Sequence, residues 1–163
     1  MRYAMIMAGG AGTRLWPMSR KDRPKQLLPF LNGRSLIQLA EERLEGVVPP
    51  ERRLVCAAER YREAILHAIP ALSADRYLGE PMGRDTVNAV GLCAAVLRAH
   101  DPGAVFAVLT ADHLIEPQEE FARRLDLAFR LVEADPTRLC TFSITPTFPA
   151  TGYGYVERGD TIA

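Results

Sequence analysis

The sequence predicts an α/β fold, a mostly parallel sheet with helices on both faces. Three observations predict it. Apolar runs of strand length alternate with longer stretches of helical spacing, the first run is about the length of one buried strand, and it opens directly into glycines. No internal repeat, low-complexity tract or long block of like charge interrupts the alternation.

Residues 3–8 form the first strand and lead into the Gly-rich loop. A helix begins at Ser35, where Ser35 and Gln38 have the spacing of a capping box, and Leu36, Ile37, Ala40, Leu44 and Val47 repeat behind it. The second strand is 54–58. The helix after it presents Tyr61, Ile65, Ala68 and Ile69 on one face and stops at Pro70. A short third strand is expected at 76–80, and then an almost wholly apolar helix over 85–99, which argues for burial on all sides. The fourth strand is 104–109. Pro117 starts the next helix, with Glu119 and Glu120 in its first turn and Phe121, Leu125, Ala128, Phe129 and Val132 facing inward. Residues 139–144 read as a fifth strand. Ligands of parallel sheets bind beyond the carboxyl ends of the strands, so chemistry is expected in the segments that follow them.

Composition narrows the function. With 163 residues, 48% of them hydrophobic, there is material for one domain with a real core. Twenty basic side chains balance twenty acidic ones, which leaves no general electrostatic case for nucleic acid or an anionic membrane. Cys56, Cys93 and Cys140 are odd in number and far apart, a pattern of neither a zinc site nor a disulfide framework, and a reducing, cytoplasmic setting fits them best. The apolar run at the N-terminus is too short for a membrane span or a signal-peptide core.

The first strand opens into Gly9-Gly10-Ala11-Gly12-Thr13-Arg14. Glycines let backbone approach a ligand closely, and successive N–H groups can cradle phosphate. Leu15 stands where a dinucleotide fingerprint needs its last glycine, and the Gly-Lys-Ser/Thr of a Walker loop is missing. Arg14 and Lys25 could neutralise a polyphosphate, one as a fork and one as a point charge. A strand-to-helix turn with surface bases is the structural alternative.

The run Gly9-Gly10-Ala11-Gly12-Thr13-Arg14-Leu15-Trp16-Pro17-Met18-Ser19-Arg20, continued by Pro24-Lys25-Gln26, closely resembles the signature of mannose-1-phosphate guanylyltransferases. Three later segments resemble the same family in its order. Glu80-Pro81-Met82-Gly83-Arg84-Asp85-Thr86 is similar to its E-P-x-G-R-N-T, which faces the nucleobase; a carboxylate suits guanine, whose N1–H and exocyclic amine both donate. The segment also reads as a Pro-Gly turn with Asp85 as helix N-cap, and Asp85 stands where the family has Asn. Thr110-Ala111-Asp112-His113 resembles P-A-D-H, with Asp112 a natural Mg²⁺ ligand beside a triphosphate or, structurally, a helix cap. Pro146-Thr147 with Thr151-Gly152-Tyr153-Gly154-Tyr155 resembles the segment that approaches the sugar, and alone would read as an edge strand.

The resemblance implies a Rossmann-like, glycosyltransferase-A-like nucleotidyltransferase fold, and a reaction in which GTP and mannose-1-phosphate give GDP-mannose and pyrophosphate. It implies Arg14 and Lys25 in catalytic charge work, Mg²⁺ on Asp112, nucleotide at Ala8, Gly9, Gly10, Gly12, Thr13, Glu80 and Gly83, and sugar at Gly152 and Tyr153. The family's chains continue past the G-Y-G-Y segment with a second metal-binding Asp, further sugar contacts and usually another domain. Residues 1–163 are therefore expected to be the nucleotide-binding portion, incomplete at the C-terminus and weak or inactive alone. Neither nucleic acid nor membrane is an expected partner, and a homo-oligomer stays open. The same chemistry on another sugar or nucleotide is the nearest alternative, against which Trp16–Arg20 and Glu80 argue. A nucleotide-sensing subunit that has lost catalysis is a second, and the presence of Arg14, Lys25 and Asp112 argues against it. Leu15 weakens a third, a dinucleotide-dependent dehydrogenase.

Overall fold

The computed structural model describes residues 1–10, 15–20, 23–83 and 85–161. Arg14, Gly12 and Thr13 of the Gly-rich loop lie outside the described residues, as do Ala11, Lys21, Asp22 and Arg84.

The chain orders as β1 (Arg2–Met7), β2 (Pro29–Leu31), β3 (Arg34–Ser35), α1 (Leu36–Glu42), β4 (Arg53–Ala58), α2 (Arg62–Ala68), β5 (Tyr77–Glu80), α3 (Asp85–His100), β6 (Val105–Thr110) and α4 (Gln118–Ala134). Four strands make one parallel sheet in the order β5-β4-β1-β6. Ala4 and Met5 of β1 register with Arg53 and Leu54 of β4 on one side and with Ala107 and Val108 of β6 on the other. Being central, β1 is buried on both faces, which is why its run is apolar without alternation.

The topology follows from handedness. From β1 the chain steps outward to β4 and β5, then returns past β1 to β6. Right-handed crossovers place the connecting helices of the two directions on opposite faces. Accordingly Ile37 and Ala40 of α1 and Ile65 of α2 pack on the face carrying Ala4, Ile6, Val55 and Ala57, where Leu125 and Phe129 of α4, the helix after β6, also pack. Ala89, Cys93 and Leu97 of α3 pack on the face carrying Tyr3, Met5, Leu54 and Cys56. The reversal makes the gap between the ends of β1 and β6 the switch point of the sheet, where such folds bind ligands.

Four elements differ from expectation. The capping box holds, with the Ser35 N–H donating to Gln38 Oε1 at 2.8 Å, but α1 ends at Glu42 and runs on in tighter turns, since Gly46 takes a φ of +73° before Pro49. A β2–β3 hairpin turns on Asn32-Gly33, both at positive φ, and was legible as the Asn-Gly dipeptide. Helix α3 buries only the stripe of Ala89, Cys93 and Leu97; Val87 is 80% exposed and Leu92 39%, because among the described residues nothing covers its outer side. No strand forms over 139–144. Leu139 is 96% exposed and Ile144 84%, so the β-prone pattern has no neighbour to pair with among the described residues.

Candidate functional site

Three strand ends bring the candidate residues together. Past β1, the Ala8 N–H donates to the Cys56 carbonyl at 2.8 Å, which extends the ladder toward β4 by one residue. Past β6, the Ala111 N–H does the same to Met7 at 3.1 Å. Ala8 is buried, and its two backbone groups are both engaged within the protein, whereas Gly9 and Gly10 are exposed. Gly10 has a φ of +104°, a conformation that side-chain-bearing residues rarely adopt.

A short 3-10 turn, Lys25–Leu27, crosses this mouth, with Pro24 before it in extended conformation. Its first residue reaches Asp112: Lys25 Nζ donates to Asp112 Oδ2 across the switch point. Its second residue reaches back: Gln26 Nε2 donates to the Ala8 carbonyl at 2.9 Å and the Gly9 carbonyl at 2.8 Å. One turn therefore ties the loop after β1 to the loop after β6. Burial alone would raise the Asp112 carboxyl, but the hydrogen bond and charge of Lys25 outweigh it and hold it below its ordinary value. Asp112 is thus an anion at neutral pH.

Glu80 ends β5 and leans over the mouth, its Oε2 3.9 Å from where a Cβ on Gly9 would stand. The Cys56 thiol, within β4, is pushed up to about 11 by burial, with the Glu80 charge adding to the shift. A brace stands behind Glu80. The Arg62 guanidinium grips the Glu59 carboxylate with two hydrogen bonds, at 2.6 and 2.9 Å, and lies 4.6 Å from the Tyr77 ring. That carboxylate fills the space a side chain on Gly79 would need, with Oε2 1.5 Å from the Cβ position.

Arg43, at the C-terminal end of α1 and 3% exposed, donates to the His113 carbonyl and lies 5.6 Å from the Phe121 ring. Its own carbonyl accepts from Gln118 Nε2 at 2.6 Å, so α1 fixes both ends of the 112–118 loop. The His113 ring sits 3.0 Å from Thr110 Oγ1, at the end of β6. Gly83 is exposed beyond β5. Asp85 enters α3 at a φ of +64°, a left-handed backbone that Asp and Asn tolerate best, and not in the extended geometry of an N-cap.

Gly152 and Tyr153 stand apart. Both are exposed on an irregular stretch, and among the described residues no hydrogen bond or ion pair links them to Lys25, Asp112 or Glu80. A cleft of about 570 Å³ on this stretch is lined only by its own residues, among them Phe148, Tyr153 and Tyr155, and holds no charged side chain. It lacks the chemistry of a phosphate site. Sequence reasoning gave no role to Gln26 or Arg43. Each carried a signal: a polar side chain, inside an apolar run or on the core face of a helix, must be buried with a partner.

The mouth offers a cation, an ionised carboxylate, a second carboxylate and exposed glycine backbone. It can hold phosphates, and among the described residues no Ser-His or Cys-His pair for covalent catalysis is part of it. Among the described residues no group of three or more His, Cys, Asp or Glu could hold a metal. Asp112 alone fits Mg²⁺, which takes one or two carboxylates and completes its shell with substrate phosphates and water. Among the described residues no helix is long and apolar enough to cross a membrane.

A family model described as nucleotidyl transferase matches residues 3–163. The chain is 38% identical over 161 residues to a mannose-1-phosphate guanylyltransferase of Escherichia coli, covering 98% of this chain and 34% of that protein. It is 39% identical over 164 residues to one from Salmonella typhimurium, with 98% and 34% covered. A solved structure from Thermus thermophilus, described as a mannose-1-phosphate geranyltransferase, superposes with a TM-score of 0.71 at 42% identity, over 81% of this chain and 38% of that one. A Helicobacter pylori structure described as a mannose-6-phosphate isomerase shares the fold alone, at a TM-score of 0.62 and 21% identity, over 81% and 47%. The chain spans about a third of the length of the curated relatives it matches.

Proposed function

The chain belongs to the nucleotidyl transferase family, and on that premise we propose that its protein transfers GMP from GTP to mannose-1-phosphate, releasing pyrophosphate. The observation that carries the reading is the Lys25–Asp112 pair at the switch point, beside exposed glycine backbone. A phosphoryl-transfer site needs a cation for the phosphates and a carboxylate for the metal that accompanies them, and these two residues supply both.

In the reaction an oxygen of the sugar phosphate attacks the α-phosphorus in line. The bond to the β-phosphate oxygen breaks, and pyrophosphate leaves with the electron pair. The protein need not form a covalent intermediate; its part is to hold two anions at reacting distance and offset the charge on the leaving group. Lys25 supplies three N–H donors to those oxygens, and Arg14, outside the described residues, supplies a second cation. The Gly9 and Gly10 backbone borders the triphosphate, joined by Gly12 and Thr13. Glu80 accepts from the N1–H and exocyclic amine of guanine, with Gly83 beside it. Gly152 and Tyr153 border the mannose. Asp112 would hold Mg²⁺, and the metal would supply positive charge to offset that of the phosphates.

The test is pyrophosphate release by the full open reading frame with Mg²⁺, crossing GTP, ATP, UTP and dTTP against mannose-1-phosphate and glucose-1-phosphate. Release chiefly with GTP and mannose-1-phosphate is expected. Another preferred pair would overturn the base and sugar assignments, and GTP binding without any release would make the protein a nucleotide sensor.

A further inference from the structure

Gln26 is 2% exposed, and its amide nitrogen serves three backbone carbonyls: Ala8 at 2.9 Å, Gly9 at 2.8 Å and Gly10 at 3.4 Å. Its own oxygen, equally buried, has no hydrogen-bond partner among the described residues. Burying an amide with an unsatisfied acceptor costs of order 1–3 kcal/mol, so the position is poorly explained by stability. Two donors spread over three consecutive carbonyls point to a different purpose.

In a trans peptide the C=O of one residue and the N–H of the next point in opposite directions. Holding the Ala8 and Gly9 carbonyls toward Gln26 therefore turns the N–H groups of Gly9 and Gly10 the other way. Both glycines are exposed, and among the described residues neither N–H donates to protein backbone. Resting on the nucleotide-binding reading above, we infer that Gln26 is a positioning residue of the phosphate cradle. From inside the protein it aims the Gly9 and Gly10 amides at a polyphosphate that it never touches itself. The glycines make the loop flexible enough to approach the phosphates, and Gln26 removes the freedom that would let its dipoles turn over. The apolar neighbours Leu27 and Leu28 hold the strap in the core.

Gln26→Met keeps the side chain's length and bulk but removes both donors. Binding to the full-length protein is measured by calorimetry for inorganic tripolyphosphate, GTP and guanosine. The substitution is expected to weaken tripolyphosphate and GTP about tenfold, roughly 1.4 kcal/mol, and to leave guanosine unchanged. Equal weakening of guanosine, or unchanged tripolyphosphate binding with a lowered melting temperature, would assign Gln26 to stability and overturn the proposal. Should Gln26→Met not fold, Gln26→Glu is read against the unsubstituted protein from pH 8 to 5. Its carboxyl donates only when protonated, so tripolyphosphate binding recovered at low pH supports the role and a constant deficit overturns it. Because tripolyphosphate carries neither base nor sugar, these arms stand even if the GTP and mannose assignments fail.

Discussion

Lys25 and Asp112 lie 87 positions apart in sequence and form an ion pair across the sheet's switch point. The pair closes the mouth of the fold before any phosphate enters. On the proposed function, a phosphate that takes Lys25 and a metal that takes Asp112 would each have to break this pair.

The lowered Asp112 carboxyl makes the pair's pH dependence predictable. A depressed acid contributes stability that is present above its unfolded value, near 3.9, and is lost as pH falls through the folded one. The stability difference between the unsubstituted protein and Asp112→Asn should stay level from pH 7 to about 5 and shrink below about 4. Denaturant midpoints at each pH check this, and a difference that persists undiminished at pH 3 would show that the pair contributes nothing.

Glu80 should set the base preference. Glu80→Gln replaces one of two acceptor oxygens with a donor that opposes guanine's N–H groups. Hydrogen bonds to charged groups are worth about 1.5–3 kcal/mol, so GTP over ATP selectivity should fall roughly 10- to 100-fold. Competitive nucleotide binding measures it. Selectivity left intact would move base recognition elsewhere.

At Gly10, φ is +104° and, apart from Gly10 and its chain neighbours, no atom of the described residues lies within 4 Å of where a methyl group would stand, so Gly10→Ala meets backbone strain and not a clash. That strain is of order 1–3 kcal/mol. The exposed loop can relieve that strain by shifting its backbone away from the binding conformation, so the melting temperature should barely move while GTP affinity drops. A lowered melting temperature at full affinity would contradict this.

Much of this arrangement was legible in the sequence. The four strands of the parallel sheet were, because buried parallel strands are written as short apolar runs, and so was the placing of Gly9, Glu80 and Asp112 at strand ends, where parallel sheets collect such residues. The burial of α3 was not. An apolar helix is also what a helix waiting for a partner looks like, and composition does not separate Val87, which is exposed, from Cys93, which is buried. Residues 139–144 failed as a strand for a related reason: a strand is a relation to a neighbour, and a single segment carries only half of it. Gln26 and Arg43 escaped because their meaning lies in which carbonyls they meet, and that is set by the tertiary path.

The cysteines should differ sharply in reactivity. Cys56 and Cys93 are buried, with burial pushing their thiols up to about 11 and about 12, whereas Cys140 is exposed. Thiolates are the reactive form, so a thiol reagent at pH 8 should modify Cys140 alone in the folded chain. In denaturant all three should react, and the count of labelled sites by mass spectrometry decides it.

Arg43 offers the sharpest separation of fold from function. Its charge is 3% exposed, desolvation lowers its pKa, and among the described residues no carboxylate forms an ion pair with it. A buried charge without a counterion is costly, so Arg43→Met relieves that cost while keeping the apolar stem and most of the packing against Phe121. The loss is the hydrogen bond to the His113 carbonyl, one residue beyond Asp112. These two effects oppose each other, so the unfolding free energy should change by less than about 1 kcal/mol. The loop has no such compensation. Amide hydrogen exchange over 112–117 should speed up, and Mg²⁺-dependent turnover of the full-length protein should fall as Asp112 loses its fixed position. A large loss of stability with loop exchange unchanged would instead make Arg43 a structural cation whose neighbourhood to Asp112 has no consequence.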